Sequence, residues 1–165
     1  MPVHESSLGA ATTGRNVAIS IAILAFSAFL IVTTEFLIVG LLPALSQDLE
    51  ISISMAGQLV TLFAFTVMLA GPVLTAALAH LDRKRLFITI LLVFAAANAL
   101  AAASSSFWVL AIARVIPALA LPVFWGTASE TAGHLAGRDS VGQAIAKVYL
   151  GISAAMLLGI PLGTV

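Results

Sequence analysis

Glu35 and Arg114 are the two residues of this chain best suited to chemistry. Each is charged, and each lies inside a long apolar run. A charge within hydrocarbon is costly, so it faces a protein interior or a water-filled cavity and marks a path for ions or substrate. Glu35 stands seven residues before Leu42, the end of the first run, and Arg114 seven residues after Phe107, the start of the fourth. At 1.5 Å per helical residue, both lie about 10 Å below the same surface. The two side chains can pair if the first and fourth helices are close. Apolar surroundings favour the neutral acid, whereas a nearby guanidinium favours the carboxylate. A carboxyl group held between those influences can take up a proton, or exchange one for a cationic substrate, as a cavity opens to either side. The plain alternative is a static pair that only orients two helices.

Five apolar runs must position these groups: Val17–Leu42, Met55–Ala79, Leu86–Ala103, Phe107–Thr127 and Ala144–Val165. Each approaches the roughly 20 residues a helix needs to cross a bilayer. Hydrophobic residues make up 61% of the 165-residue chain and charged residues only 8%; mean hydropathy is +1.16. A soluble domain carries about 25% charged residues. So little polar surface cannot coat a water-exposed globule, and lipid must cover much of it. The runs are too long for barrel strands and do not alternate, so they are helices. The expected fold is an all-α membrane protein with five transmembrane helices (residues 17–165) behind a polar tail (residues 1–16). The first run exceeds a signal-peptide core and has no clear cleavage site after it, which makes it a retained helix.

Basic residues set the orientation. Arg15 precedes the first run; Arg83, Lys84 and Arg85 fill the second loop; Arg138 and Lys147 flank the start of the fifth run. These are six of the seven basic residues, and all fall on one side. The first loop carries Asp48 and Glu50, and the third, Ser104–Ser106, is uncharged. The positive-inside rule puts the basic side and the N-terminus in the cytoplasm, as expected for a multi-pass protein of the inner or plasma membrane. Short loops make successive helices antiparallel neighbours. Pro72, Pro117, Pro122 and Pro161 lie inside runs and can bend them.

Other polar groups carry weaker signals. Thr34, Gln58 and Asn98 are candidate cavity-lining residues, with helix-to-helix hydrogen bonds the plainer reading for Gln58 and Asn98. Thr33 and Thr34 can bond locally. Trp108, Trp125 and Tyr149 suit interfacial anchors. In the fifth run Gly151, Ala155, Gly159 and Gly163 recur every four residues, with Pro161 between the last two. Such a stripe lets another backbone approach closely and suits packing or gating. The basic loop Asp82-Arg83-Lys84-Arg85 serves topology, or acts as a latch on Glu130 at the end of the fourth run, biasing inward-open against outward-open states.

The string Thr34-Glu35-Phe36-Leu37-Ile38-Val39-Gly40-Leu41-Leu42-Pro43 resembles the first helix of the major facilitator superfamily. It is most similar to the twelve-helix drug:proton antiporter group, in the branch of sugar-efflux and arabinose-efflux-like permeases. Gly71-Pro72 and the following Leu81-Asp82-Arg83-Lys84-Arg85 resemble that group's loop between helices two and three. Arg114 stands where the group has an arginine, and Gly159-Ile160-Pro161-Leu162-Gly163 resembles the antiporter motif of helix five. There are departures. Ala79 takes the place of the loop aspartate, Asp82 that of a glycine, and Pro117-Ala118 follow Arg114 where Gln-Gly is usual.

The resemblance implies an incomplete N-terminal six-helix half of a transporter that exports a small molecule such as a drug or sugar. Glu35 would exchange a proton, Arg114 would tune it, and the helix-five stripe would seal a gate. The implied partners are the lipid bilayer, the substrate and the missing C-terminal helices of a longer parent. The implied energy source is the proton gradient, with no cofactor. Five helices alone could not build an alternating-access path, so a small non-transporting subunit or a nonfunctional remnant is the alternative.

An enzyme fits poorly. His4, His80 and His134 lie in the tail or loops, cysteine is absent, and neither metal-ligand spacing nor a Gly-x-Ser-x-Gly elbow occurs. Zero net charge argues against nucleic acid as a partner.

Overall fold

The computed structural model describes residues 3–159 and 161, and among them every regular element is helical. α1 spans Val3–Asp48, α2 Ile53–Leu78, α3 Arg83–Ala102, α4 Phe107–Ala136 and α5 Val141–Ala154. A π-helical turn, Ala155–Gly159, continues α5. Five segments are long and apolar enough to cross a membrane: Gly14–Asp48, Ile53–Leu78, Arg83–Ala102, Phe107–Ala136 and Arg138–Gly159. The chain is thus an all-α integral membrane protein.

Helix ends depart from the apolar runs. Residues 3–16, expected as a tail, belong to α1, which also passes Pro43 and ends at Asp48. α4 continues nine residues past Thr127 to Ala136. Hydropathy marks where apolar side chains stop, whereas helical hydrogen bonding can carry on through polar residues beyond the lipid. Backbone chemistry sets the true ends. α1 stops where Glu50 takes a left-handed conformation, φ 53°, and the Ile51 N–H donates back to the Ser46 carbonyl, the geometry of a Schellman cap. α4 stops at Gly137, φ 74°, where a side chain would be strained.

Caps start the next helices. The Ser52 side chain accepts from the Met55 N–H at 3.1 Å, and Asp82 accepts from the Arg85 N–H at 2.9 Å. Each satisfies an otherwise orphaned donor. Ser52→Ala is expected to cost about 1 kcal/mol, read as a lower midpoint of thermal unfolding in detergent, with Ser52→Asp near the wild type.

α4 is the central post. It packs on α2, α3 and α5, while α1 lies chiefly against α5 and α2. Ala118, Phe124, Ala128 and Ala132 are wholly enclosed. Ile23, Phe26, Leu69, Val73, Leu92 and Leu157 point outward, as lipid contact requires. In hydrocarbon, helices gain little from burying apolar surface and associate by close packing. The α1–α5 seam shows this most clearly. A methyl group on Gly151 would strike the Ala25 carbonyl oxygen and lie 3.0 Å from Ala28 Cβ and the Phe29 nitrogen; one on Gly159 would strike Thr33. Ala155, between them, is fully buried. Pro161 is exposed, and Gly163 lies outside the described residues. The small-residue stripe is therefore occupied by the chain's own α1, not left open for a partner protein.

Candidate functional site

α1, α2 and α4 enclose a cavity of about 310 Å³ below the end of the bundle opposite the basic loop. Its walls are apolar, including Phe36, Val39, Phe63, Val67 and Leu121, and its charged groups are Glu35 and Arg114. A second, narrow void adjoins it, shared by Thr34, Glu35, Asn98 and Arg114. At about 10 Å³ it has room for at most a single water.

The first and fourth helices bring the two charges together, but not as a carboxylate–guanidinium pair. Arg114 Nη1 donates to the main-chain carbonyl of Glu35 at 3.4 Å, a long contact. Among the described residues no salt bridge joins Arg114 to the Glu35 carboxylate. The guanidinium thus ties α4 to the backbone of α1, and Glu35 is one of the residues that line the cavity. Equal depth aligned the two residues along the helix axes. The rotation of α1 about its own axis, set by its seams with α5 and α2, decided which atom of Glu35 meets Arg114.

The weaker candidates divide. Thr34 lines the void and its hydroxyl donates to the Ile31 carbonyl at 2.8 Å. Asn98 also lines it, yet its amide donates to Phe94 of its own helix at 2.8 Å, not across helices. Gln58 is exposed and lines neither space; Ala56 and Leu59 take the inward positions of that turn. The Thr33 hydroxyl is buried with no hydrogen-bond partner among the described residues, pressed against Gly159. Trp125 and Tyr149 pack against each other with ring centroids 5.0 Å apart and planes tilted by 43°, joining α4 to α5, whereas Trp108 stands exposed. Phe63 lines both spaces and was not singled out from the sequence, because a phenylalanine in an apolar run carries no signal separating cavity from lipid.

At the basic end, Arg83 Nη2 donates to Glu130 Oε1 at 2.6 Å, joining the start of α3 to α4. Asp82 is used as the α3 cap, and Lys84 and Arg85 are exposed without an ion pair among the described residues. His134, one turn beyond Glu130, puts Nε2 3.6 Å from the same carboxylate oxygen. Side-chain exposures of 38% for Arg83 and 51% for Glu130 limit the pair's contribution to stability to about 1 kcal/mol or less. Arg83→Gln is accordingly expected to shift the unfolding midpoint only slightly.

Comparison with known proteins adds the remaining finding. The family model of the Major Facilitator Superfamily matches residues 24–165. The uncharacterized MFS-type transporter YtbD of Bacillus subtilis is 40% identical over 141 residues, covering 86% of this chain and 36% of the relative. A probable sugar efflux transporter of Helicobacter pylori is 35% identical over 143 residues, 87% of this chain and 37% of that protein. The inner membrane transport protein YdhP of Escherichia coli is 32% identical over 141 residues, 86% of this chain and 36% of that protein. The chain spans little more than a third of the length of these relatives.

Proposed function

The chain belongs to the Major Facilitator Superfamily, and from that premise we propose that it forms the N-terminal part of a proton-coupled efflux permease of the inner membrane. The observation that carries this reading is Glu35, an ionisable residue within an apolar helix, lining a cavity beside Arg114. Such a group can hold a proton while the cavity faces one side and release it when the cavity faces the other. Efflux agrees with the name of one of these relatives, a probable sugar efflux transporter. The exported molecule is small, in keeping with a cavity of about 310 Å³ contributed by these helices alone. The remaining helices of a longer parent would close the path on its other side.

In this reading the basic end faces the cytoplasm, because six of seven basic residues lie there. The Arg83–Glu130 pair then works as a cytoplasmic latch between α3 and α4. The π-helical turn against Thr33 would seal the opposite gate. The stripe that would have mated a separate subunit is filled by α1, which favours the permease reading over a small assembly protein.

The test is transport by a full-length parent in proteoliposomes. An imposed proton gradient is expected to drive substrate against its concentration gradient, with protons moving the other way. Substrate flux indifferent to the gradient would overturn proton coupling.

A further inference from the structure

We propose that Asn98 and Pro117 build a site for a single buried water molecule, and that this water keeps Arg114 off the Glu35 carboxylate. The consequence for coupling rests on the reading of Glu35 above; the site itself does not. The site is the narrow void between α1, α3 and α4, whose polar lining is Thr34, Glu35, Asn98 and Arg114. Its volume of about 10 Å³ admits one water and no larger ligand. A water is held in such a place when it makes about three hydrogen bonds to groups that the protein leaves unsatisfied.

The hydrogen-bond inventory supplies those groups. Asn98 spends an amide hydrogen on the Phe94 carbonyl at 2.8 Å, which leaves its Oδ1 as an acceptor. Thr34 spends its only side-chain hydrogen on the Ile31 carbonyl at 2.8 Å, so its oxygen can only accept. Pro117 has no N–H for the Ala113 carbonyl four residues back, and both of these residues line the void. The donor among these groups is Arg114. It gives one N–H to the Glu35 main-chain carbonyl at 3.4 Å and makes no salt bridge among the described residues. A water molecule joins the two sets. It accepts from Arg114 and donates its two hydrogens to Asn98 Oδ1 and the Ala113 carbonyl. Ordered water is one of the means by which a membrane helix satisfies a backbone group freed by proline. The charged groups that line the void are Glu35 and Arg114; α3 contributes none. With the guanidinium held by the water and by the main chain of α1, the Glu35 carboxyl group stays available to a proton.

The test is a crystal structure of this chain grown in a lipidic mesophase, at a resolution that shows ordered water. One water is expected within hydrogen-bond distance of Asn98 Oδ1 and an Arg114 N–H. Asn98→Leu, similar in size but without a polar atom, should lose the water and bring the guanidinium onto the Glu35 carboxylate. Asn98→Thr should keep it. A threonine hydroxyl can donate to the carbonyl four residues back, as Thr66 does to Leu62 at 2.8 Å, and its oxygen still accepts from water. A native void without the water, or a water unmoved in Asn98→Leu, overturns the proposal. Should Asn98→Leu fail to fold, Pro117→Ala decides: it returns an N–H to the Ala113 carbonyl and should lower the water's occupancy, and full occupancy there counts against the site. In a full-length parent, gradient-driven export is expected to fall about tenfold in Asn98→Leu, the scale of one buried group left unpaired, and to recover in Asn98→Thr. Failure of the coupling reading looks different: Glu35→Gln would then leave export intact while the water stays in place.

Discussion

Gly151→Leu is expected to separate α1 from α5 and to leave the chain unable to form its bundle in detergent or lipid. The position has no slack. Even a single added carbon on Gly151 meets the Ala25 carbonyl oxygen, with Ala28 Cβ and the Phe29 nitrogen at 3.0 Å. Two of these three atoms are backbone, which cannot rotate away as a side-chain tip can. Overpacking costs about 1–3 kcal/mol where side chains can adjust, so Gly151→Ala should already lower the unfolding midpoint, and Leu should exceed that range. The control is Gly57→Ala, at a helical glycine with nothing within 4 Å of an added carbon. It should be neutral or slightly stabilising, because alanine favours helix. Thermal unfolding followed by circular dichroism, with size-exclusion profiles, reads all three. A Gly151→Leu chain that stays monodisperse and melts like the wild type would mean that the α1–α5 seam is not what holds the bundle.

Glu35→Gln should do the reverse, sparing the bundle and removing coupling. Arg114 holds the main-chain carbonyl of Glu35, which the substitution keeps, and the carboxylate makes no salt bridge among the described residues. The unfolding midpoint is therefore expected to stay near the wild type. Glutamine cannot gain or lose a proton at working pH, however. In a full-length parent, gradient-driven export should fall by about tenfold or more, at least about 1.4 kcal/mol of coupling, while downhill exchange of substrate survives. Glu35→Asp, which retains a titratable group on a shorter arm, should keep part of the gradient response. If Glu35→Gln still accumulates substrate in response to the gradient, the carboxyl group is not the coupling site. If it instead unfolds the chain, its role is structural.

Much of this site was legible because membrane chemistry makes rare residues conspicuous. A glutamate and an arginine within long apolar runs stand out against 8% charged residues overall, and helical rise converts their distances from run ends into depth. Glu130 could be matched to the basic loop because loops and helix ends are ordered along the chain. Phe63 and Gln58 were beyond that reasoning. Whether a residue faces cavity or lipid depends on rotation about the helix axis, and an all-round apolar helix has no polar face to reveal it. Apolar patterning puts His134 in a loop because the fourth run ends at Thr127, although the helix continues to Ala136.

The sequence by itself determined the solvent, the helical class, the number of runs and the depth of the two buried charges. These follow from composition and from a constant rise per residue, quantities that need no neighbour. Tertiary structure alone decided that Arg114 meets the main-chain carbonyl of Glu35 and that Glu35 lines the cavity. It also decided that the glycine stripe of α5 is closed by α1, and that Arg83 and His134 share one oxygen of Glu130. Each of those outcomes depends on how a helix is rotated against its neighbours. That rotation is set by close packing between helices distant in sequence, where a single methyl group decides the approach.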